Sequence, residues 1–195
     1  LDSCVIRHLQ LEFVIYNSGL LRAGGMYEQC LLYTFTGPCV DNHHQDVCVL
    51  RALFETADRK RLRAAGTPIP AGRKIRLYRG IAGRGRSRHP DGVAWTRSLD
   101  VACSYALYRS PEHPDLENPV VLTAEVKTTH ILACEDRFCE QEVFWIPGDF
   151  EQLPLTPEQI EEHAARHRPN AVLSVLKRFE RLGCVLPAEF ASSSI

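Results

Sequence analysis

Between residues 74 and 146 the apolar residues come in short runs separated by turn-forming residues, the pattern of a β-sheet region. The runs cover 74–79, 93–96, 120–127, 129–134 and the stretch Val143-Phe144-Trp145-Ile146, which Pro147-Gly148-Asp149 closes as a turn. Outside those runs the period lengthens. Val47, Leu50, Leu53, Phe54, Ala57 and Leu62 predict one helix over 46–65, stopped by Gly66 and Pro68. A second is predicted over 99–108, with Ser98 as N-cap and Asp100 in its first turn. Thr156 followed by Pro157 opens a third that runs to about His167, and Val172, Leu173, Leu176 and Phe179 predict a fourth, ended by Gly183. Residues 17–25 read as a turn region and 27–35 as a short apolar run. Residues 4–16 fit a strand or a helix, and the three prolines of 109–119 read as a loop. The expected architecture is α+β in one domain over 1–195. A helical part covers about 1–70, a mixed or antiparallel sheet core about 74–147, and helices about 156–183.

Composition narrows this only a little. A hydrophobic fraction of 45%, a charged fraction of 24% and a net charge of −1 are ordinary for a globular chain and give no global reason to expect nucleic acid or membrane. The 19 Arg against 4 Lys read as codon bias of a high-GC genome before they read as selection for bidentate anion contacts. The apolar N-terminal stretch 5–21 is broken by Arg7, His8 and Glu12, so it predicts neither a membrane span nor a signal peptide. The chain starts at Leu1, which reads as a processed product, a trimmed chain or a piece of a longer polypeptide. Its eight cysteines are irregularly spaced, and reduced thiols in a cytosolic protein are the expectation.

The most informative chemistry is Glu140-Gln141-Glu142 ahead of the 143–146 run. Strand alternation predicts both carboxylates on one face. With 15 Glu in the chain, about one Glu-x-Glu is expected by chance, so the motif needs company. Upstream, Ile75-Arg76-Leu77-Tyr78-Arg79-Gly80 is a strand ending in an arginine, and Trp95-Thr96-Arg97-Ser98 is a strand with hydroxyls that runs into a helix.

In that order these three segments resemble the mono-ADP-ribosyltransferase family. The nearer likeness is to the branch with an arginine, serine/threonine, glutamate signature found in bacterial toxins and phage enzymes. The resemblance covers about residues 74–147. It implies a core of two packed β-sheets with a nucleotide cleft, and NAD as substrate. It also implies that Glu142 stabilises the charge developing on the ribose and that Glu140 orients or deprotonates an acceptor guanidinium. Arg79 and Gly80 would contact NAD, Thr96 and Ser98 would brace the cleft, and Phe138 would touch the target. Trp95-Thr96-Arg97-Ser98 departs from the family's Ser-Thr-Ser, and Trp95 reads as core. The bland reading is that both glutamates solvate an edge strand.

Other features carry less. The segment Gly83-Arg84-Gly85-Arg86-Ser87-Arg88 could cradle phosphate or face an acidic target, and reads equally as a solvated loop. Cys39, His43, His44 and Cys48 match no common zinc pattern, and His163 with His167 lack a third ligand, so no metal is expected. No Gly-x-Gly-x-x-Gly sits between strand and helix, which argues against a Rossmann NAD site. The expected function is transfer of ADP-ribose from NAD to a macromolecule, first an arginine on a protein, with nucleic acid as the other acceptor class. The protein would act as a toxin in the cytoplasm of its own or a target cell, with an immunity or antitoxin protein as a partner. The alternatives are an NAD glycohydrolase and a non-enzymatic metal-binding or interaction domain.

Overall fold

The computed structural model describes residues 11–36, 46–83, 90–107, 118–136 and 140–167. Helices lead. α1 is described over 11–16, and α2 (Ser18–Ala23), α3 (Tyr27–Phe35), α4 (Val47–Glu55) and α5 (Arg59–Ala65) follow. Then come β1 (Lys74–Ile81), β2 (Ala94–Thr96), α6 (Leu99–Leu107), β3 (Val120–Lys127), β4 (Ala133–Glu135), β5 (Glu142–Phe144), β6 (Glu151–Gln152) and α7 (Pro157–His167). The α+β order is the expected one. No helix among the described residues is long and apolar enough to cross a membrane.

Three local expectations are corrected. Residues 17–25 are not simply a turn, because α2 occupies most of them. Its glycines form the helix stop: Gly25 takes φ +68° and the Met26 N–H returns to the Leu21 carbonyl at 2.8 Å. The single helix over 46–65 is two. Asp58 accepts from the Arg61 N–H at 2.9 Å and starts α5 afresh, while its own N–H donates to the buried Glu28 carboxylate at 2.9 Å. The strand expected over 129–134 begins with a short 3₁₀ turn, Thr128–His130, and only Ala133–Glu135 pairs.

The described strands form one antiparallel sheet in the order β4-β5-β2-β1-β3-β6, where two packed sheets were expected. Its pairing is uneven. β1 and β3 pair over eight residues, from Lys74 with Lys127 to Ile81 with Val120. β1 and β2 pair at Tyr78 with Thr96 alone, so two three-stranded halves meet at one point. Leu77, Leu122 and Val126 from one half bury with Trp95, Cys134, Val143 and Trp145 from the other. Trp95 and Trp145 meet edge to face at 5.2 Å, and the Trp95 indole N–H donates to the Gly92 carbonyl at 2.9 Å, so Trp95 is core.

The opposite face is covered by two groups of helices. Helices α1–α4 and Leu62 of α5 pack over Ala133 and Phe144, centred on Phe54 stacked on Phe144 at 5.1 Å. Truncating such a buried ring costs about 3–5 kcal/mol. Helices α6 and α7 pack over Val121 and Tyr78. Gly80 makes the second packing possible: a Cβ there would lie 1.8 Å from the Ala102 carbonyl oxygen.

Candidate functional site

Glu142, Phe144, Thr96 and Tyr78 fall on the helix-covered face by register and alternation. Phe144 lies under the N-terminal helices and Tyr78 against the α6–α7 cluster. Glu142, two residues before Phe144 on this face, projects between those two groups. It pairs across the strands with Thr96 on β2 and with Glu135 on β4, so two carboxylates stand directly opposite each other. Like charges in that position repel. Glu135 is buried, and one of its oxygens accepts from the Asp136 N–H at 3.0 Å.

Glu140 reaches this row by a route that alternation did not foresee. β5 starts at Glu142, and Gln141 lies in the left-handed region at φ +50°, so Glu140 precedes a kink instead of sharing a strand with Glu142. Three hydrogen bonds hold the kink. The Thr96 hydroxyl donates to the Glu140 carbonyl at 2.6 Å, the Arg97 N–H to the Gln141 carbonyl at 3.2 Å, and the Gln141 N–H to an Asp136 carboxylate oxygen at 3.0 Å. The Glu140 side chain accepts from the Tyr105 hydroxyl at 2.8 Å. The two carboxylates of the motif are still electrostatic neighbours. Burial first, then the charges of Glu140 and Glu135, push Glu142 up to about 8, against a smaller lowering by Arg79. Burial also raises Glu140, and the Tyr105 hydrogen bond offsets part of that rise. Among the described residues no hydrogen-bond donor reaches the half-buried Glu142 carboxyl.

Arg79 alternates with Leu77 and Ile81, so its stem leaves the other face, beside the tryptophan cluster. Where the β1–β2 ladder stops, its guanidinium donates to the Ala94 carbonyl and presses on Gly92; a Cβ at Gly92 would sit 2.2 Å from Nη2. Desolvation lowers Arg79 to about 10, with Asp91 and then Glu142 opposing, so it stays a cation at neutral pH.

The remaining expected site residues have structural employment. Thr96 is buried; it braces Glu140 and accepts from the Ser98 N–H at 3.0 Å. The Ser98 hydroxyl accepts from the Val101 N–H at 3.3 Å, the N-cap bond of α6. Gly80 serves the approach of α6 to β1, not an approach to open space. Phe138, the arginines of 83–88, Cys39, His43 and His44 lie outside the described residues. Cys48 is exposed on α4; Cys30, Cys48, Cys103 and Cys134 are free thiols. Among the described residues no three His, Cys, Asp or Glu side chains are arranged to hold a metal. His163 is not a plain surface residue, because its Nδ1 meets an Asp100 carboxylate oxygen at 2.5 Å and ties α7 to α6.

Sequence reasoning missed Glu135, Asp91 and Tyr105. Glu135 and Tyr105 lie five and 35 residues from Glu140, and neither spacing is a motif. One signal was there to read: Glu135 stands at the end of an otherwise apolar run, Ile131-Leu132-Ala133-Cys134. No family profile, curated protein sequence or solved structure matches this chain.

Proposed function

We propose that this chain is an NAD-dependent mono-ADP-ribosyltransferase that transfers ADP-ribose to a macromolecular acceptor, first of all an arginine side chain. The observation that carries the reading is Glu142: a half-buried carboxyl with no donor from the described residues, within electrostatic reach of a buried arginine on the other face of the sheet and of a second carboxylate. An unfilled acceptor of that kind suits a sugar hydroxyl and a carbon that becomes cationic. The feature of the single sheet nearest to the two-sheet core that the resemblance implies is that its two halves meet at one residue pair and share one tryptophan-centred cluster.

In the proposed reaction the bond between the ribose C1′ and the nicotinamide nitrogen breaks, and nicotinamide leaves with the electron pair. Glu142, ionised, stabilises the positive charge on the sugar. The acceptor nitrogen then bonds to C1′ and passes its proton to Glu140. A guanidinium is protonated at neutral pH and is a poor nucleophile until that proton is taken. Burial, which raises Glu140, makes it a better base than an exposed carboxylate. Arg79 supplies the fixed positive charge for the nucleotide.

Glu140 gives the test. In labelled NAD and whole-cell lysate, Glu140→Ala is expected to abolish labelling of the acceptor while a measurable share of nicotinamide release continues. Equal loss of both activities would move Glu140 into the NAD site. Nicotinamide release by the wild type with no labelled protein or nucleic acid would make the chain an NAD glycohydrolase.

A further inference from the structure

Among the described residues, the one side chain that hydrogen-bonds the Glu140 carboxylate comes from a helix, not from the sheet. Tyr105 stands on the last turn of α6 and is 46% exposed, and its hydroxyl donates to Oε2 of Glu140 in a solvent-exposed hydrogen bond. The other oxygen, Oε1, has no donor among the described residues. Within the described residues, then, one oxygen of Glu140 is held and the other takes no hydrogen bond. An amphipathic tyrosine at the rim suits a polar group that must be held in place while wet on one side.

The position of Tyr105 is itself determined. Ser98 caps α6, Gly80 lets the helix lie directly on β1, and Ala102, Cys103 and Ala106 are buried beneath it. Tyr105 lies between Cys103 and Ala106 and turns out of that packed stripe toward β5. The hydroxyl reaches Glu140 because helix and sheet are locked together, so deleting it leaves the packing intact.

We propose that Tyr105 is a positioning residue for the acceptor half of the reaction: it fixes one oxygen of Glu140 so that the other takes the proton of an incoming guanidinium at the exposed edge of α6. This rests on the transferase reading above. Glu142 has no bond to Tyr105, so cleavage of NAD by itself does not use the hydroxyl.

The experiment compares the wild type with Tyr105→Phe, using agmatine as a simple guanidine acceptor and NAD labelled in the adenylate. Three quantities are read: nicotinamide release in water, ADP-ribosyl-agmatine formation, and the chemical shift of the ¹³C-labelled Glu140 carboxyl across pH. Among the described residues, the groups shown to act on that carboxyl are Tyr105 from α6, by hydrogen bond, and Glu142 from β5, by charge. In Tyr105→Phe, agmatine transfer is expected to fall roughly tenfold, the loss expected of one hydrogen bond to a charged group. Release in water and KM for NAD should stay within about twofold of the wild type. The Glu140 titration should move to higher pH, since the hydroxyl stabilises the ionised form. Unchanged agmatine transfer, a parallel fall of both activities, or an unmoved Glu140 titration would each overturn the inference while leaving the transferase reading in place. A wild type that releases no nicotinamide overturns the transferase reading, and the acceptor role of Tyr105 with it.

Discussion

The two halves of the sheet solve opposite problems. β1 and β3 pair without interruption over eight residues, and their side chains on both faces are mostly packed. The β4-β5-β2 half is built from strands of three residues. It places Glu135 against Glu142, a kinked Gln141 beside them and the Arg79 guanidinium at its border. A structure selected for stability alone would not put two carboxylates opposite each other in an enclosed row. The proposed site lies where regular pairing ends: backbone that a ladder would otherwise occupy is free to bend, and side chains from three elements converge there. The regular half holds the frame against which the irregular half is positioned.

The largest expected effect tests whether the irregular half is costly because it is functional. Glu142→Gln should reduce kcat/KM for nicotinamide release by about 10²–10³, as for loss of a charge that stabilises the transition state. In the wild type the same quantity should rise with pH to a midpoint near 8, because the proposed reaction uses the ionised carboxylate. Stability should run the other way. The folded-state value lies above the ordinary carboxylate range, so folding takes up a proton between that range and about 8, and stability falls as pH rises through this window. Glu142→Gln removes the loss. At pH 8 it should be more stable than wild type by about 2–3 kcal/mol, after discounting for solvent access. An inactive variant that is also less stable at pH 8 would make Glu142 a structural residue.

Gly80→Ala breaks the regular half instead. A methyl group cannot enter 1.8 Å from the Ala102 carbonyl without moving α6 from β1, and the expected cost is about 2–3 kcal/mol in denaturant unfolding. NAD affinity of the folded fraction should be unchanged. Full stability with lost NAD affinity would restore Gly80 to the ligand contact that the resemblance implied.

The legibility of the two halves differs for the same physical reason. Strands β1 and β3 were readable because long, paired strands show their alternation and their turn residues in the sequence. Helix α6 and its Ser98 cap were readable because capping is a local code. Asp58 obeys that code too, and it was missed because the apolar period continues across it to Leu62. In the short-strand half the argument from alternation failed at Gln141, whose conformation is imposed by Thr96, Arg97 and Asp136 and not by its own neighbours. The proximity of Glu140 and Glu142 was anticipated on a premise that the kink removes. Glu135, Asp91 and Tyr105 join the site through pairing and packing that no spacing along the chain encodes.

Arg79→Ala sits at the border between the halves. Loss of its charge should weaken NAD binding in calorimetry by about 2 kcal/mol, or roughly 30-fold. It should also loosen Ala94, so Arg79→Lys serves as the companion. Lysine keeps the charge without the fork, and an Arg79→Lys chain that binds NAD as the wild type does would reduce Arg79 to a point charge. Unchanged affinity in both variants would make the guanidinium a fastener between β1 and β2.

The smallest effect decides the standing of Ser98, which the resemblance placed in the cleft and the geometry places at a helix start. The Val101 N–H has no partner within the helix and takes the Ser98 hydroxyl at 3.3 Å. Ser98→Ala should therefore cost about 1 kcal/mol of stability, the usual loss of an N-cap. Nicotinamide release per folded molecule should not change, because it is Thr96, not Ser98, that bonds the backbone of Glu140. Ser98→Asp is the sharper variant. Aspartate caps as well as serine and adds a charge that favours a helix N-terminus, so stability should be retained. If Ser98 also bonded a substrate hydroxyl, Ser98→Asp would keep the fold and change KM for NAD. An unchanged KM leaves Ser98 as the cap that sets the start of α6, and through α6 the place of Tyr105.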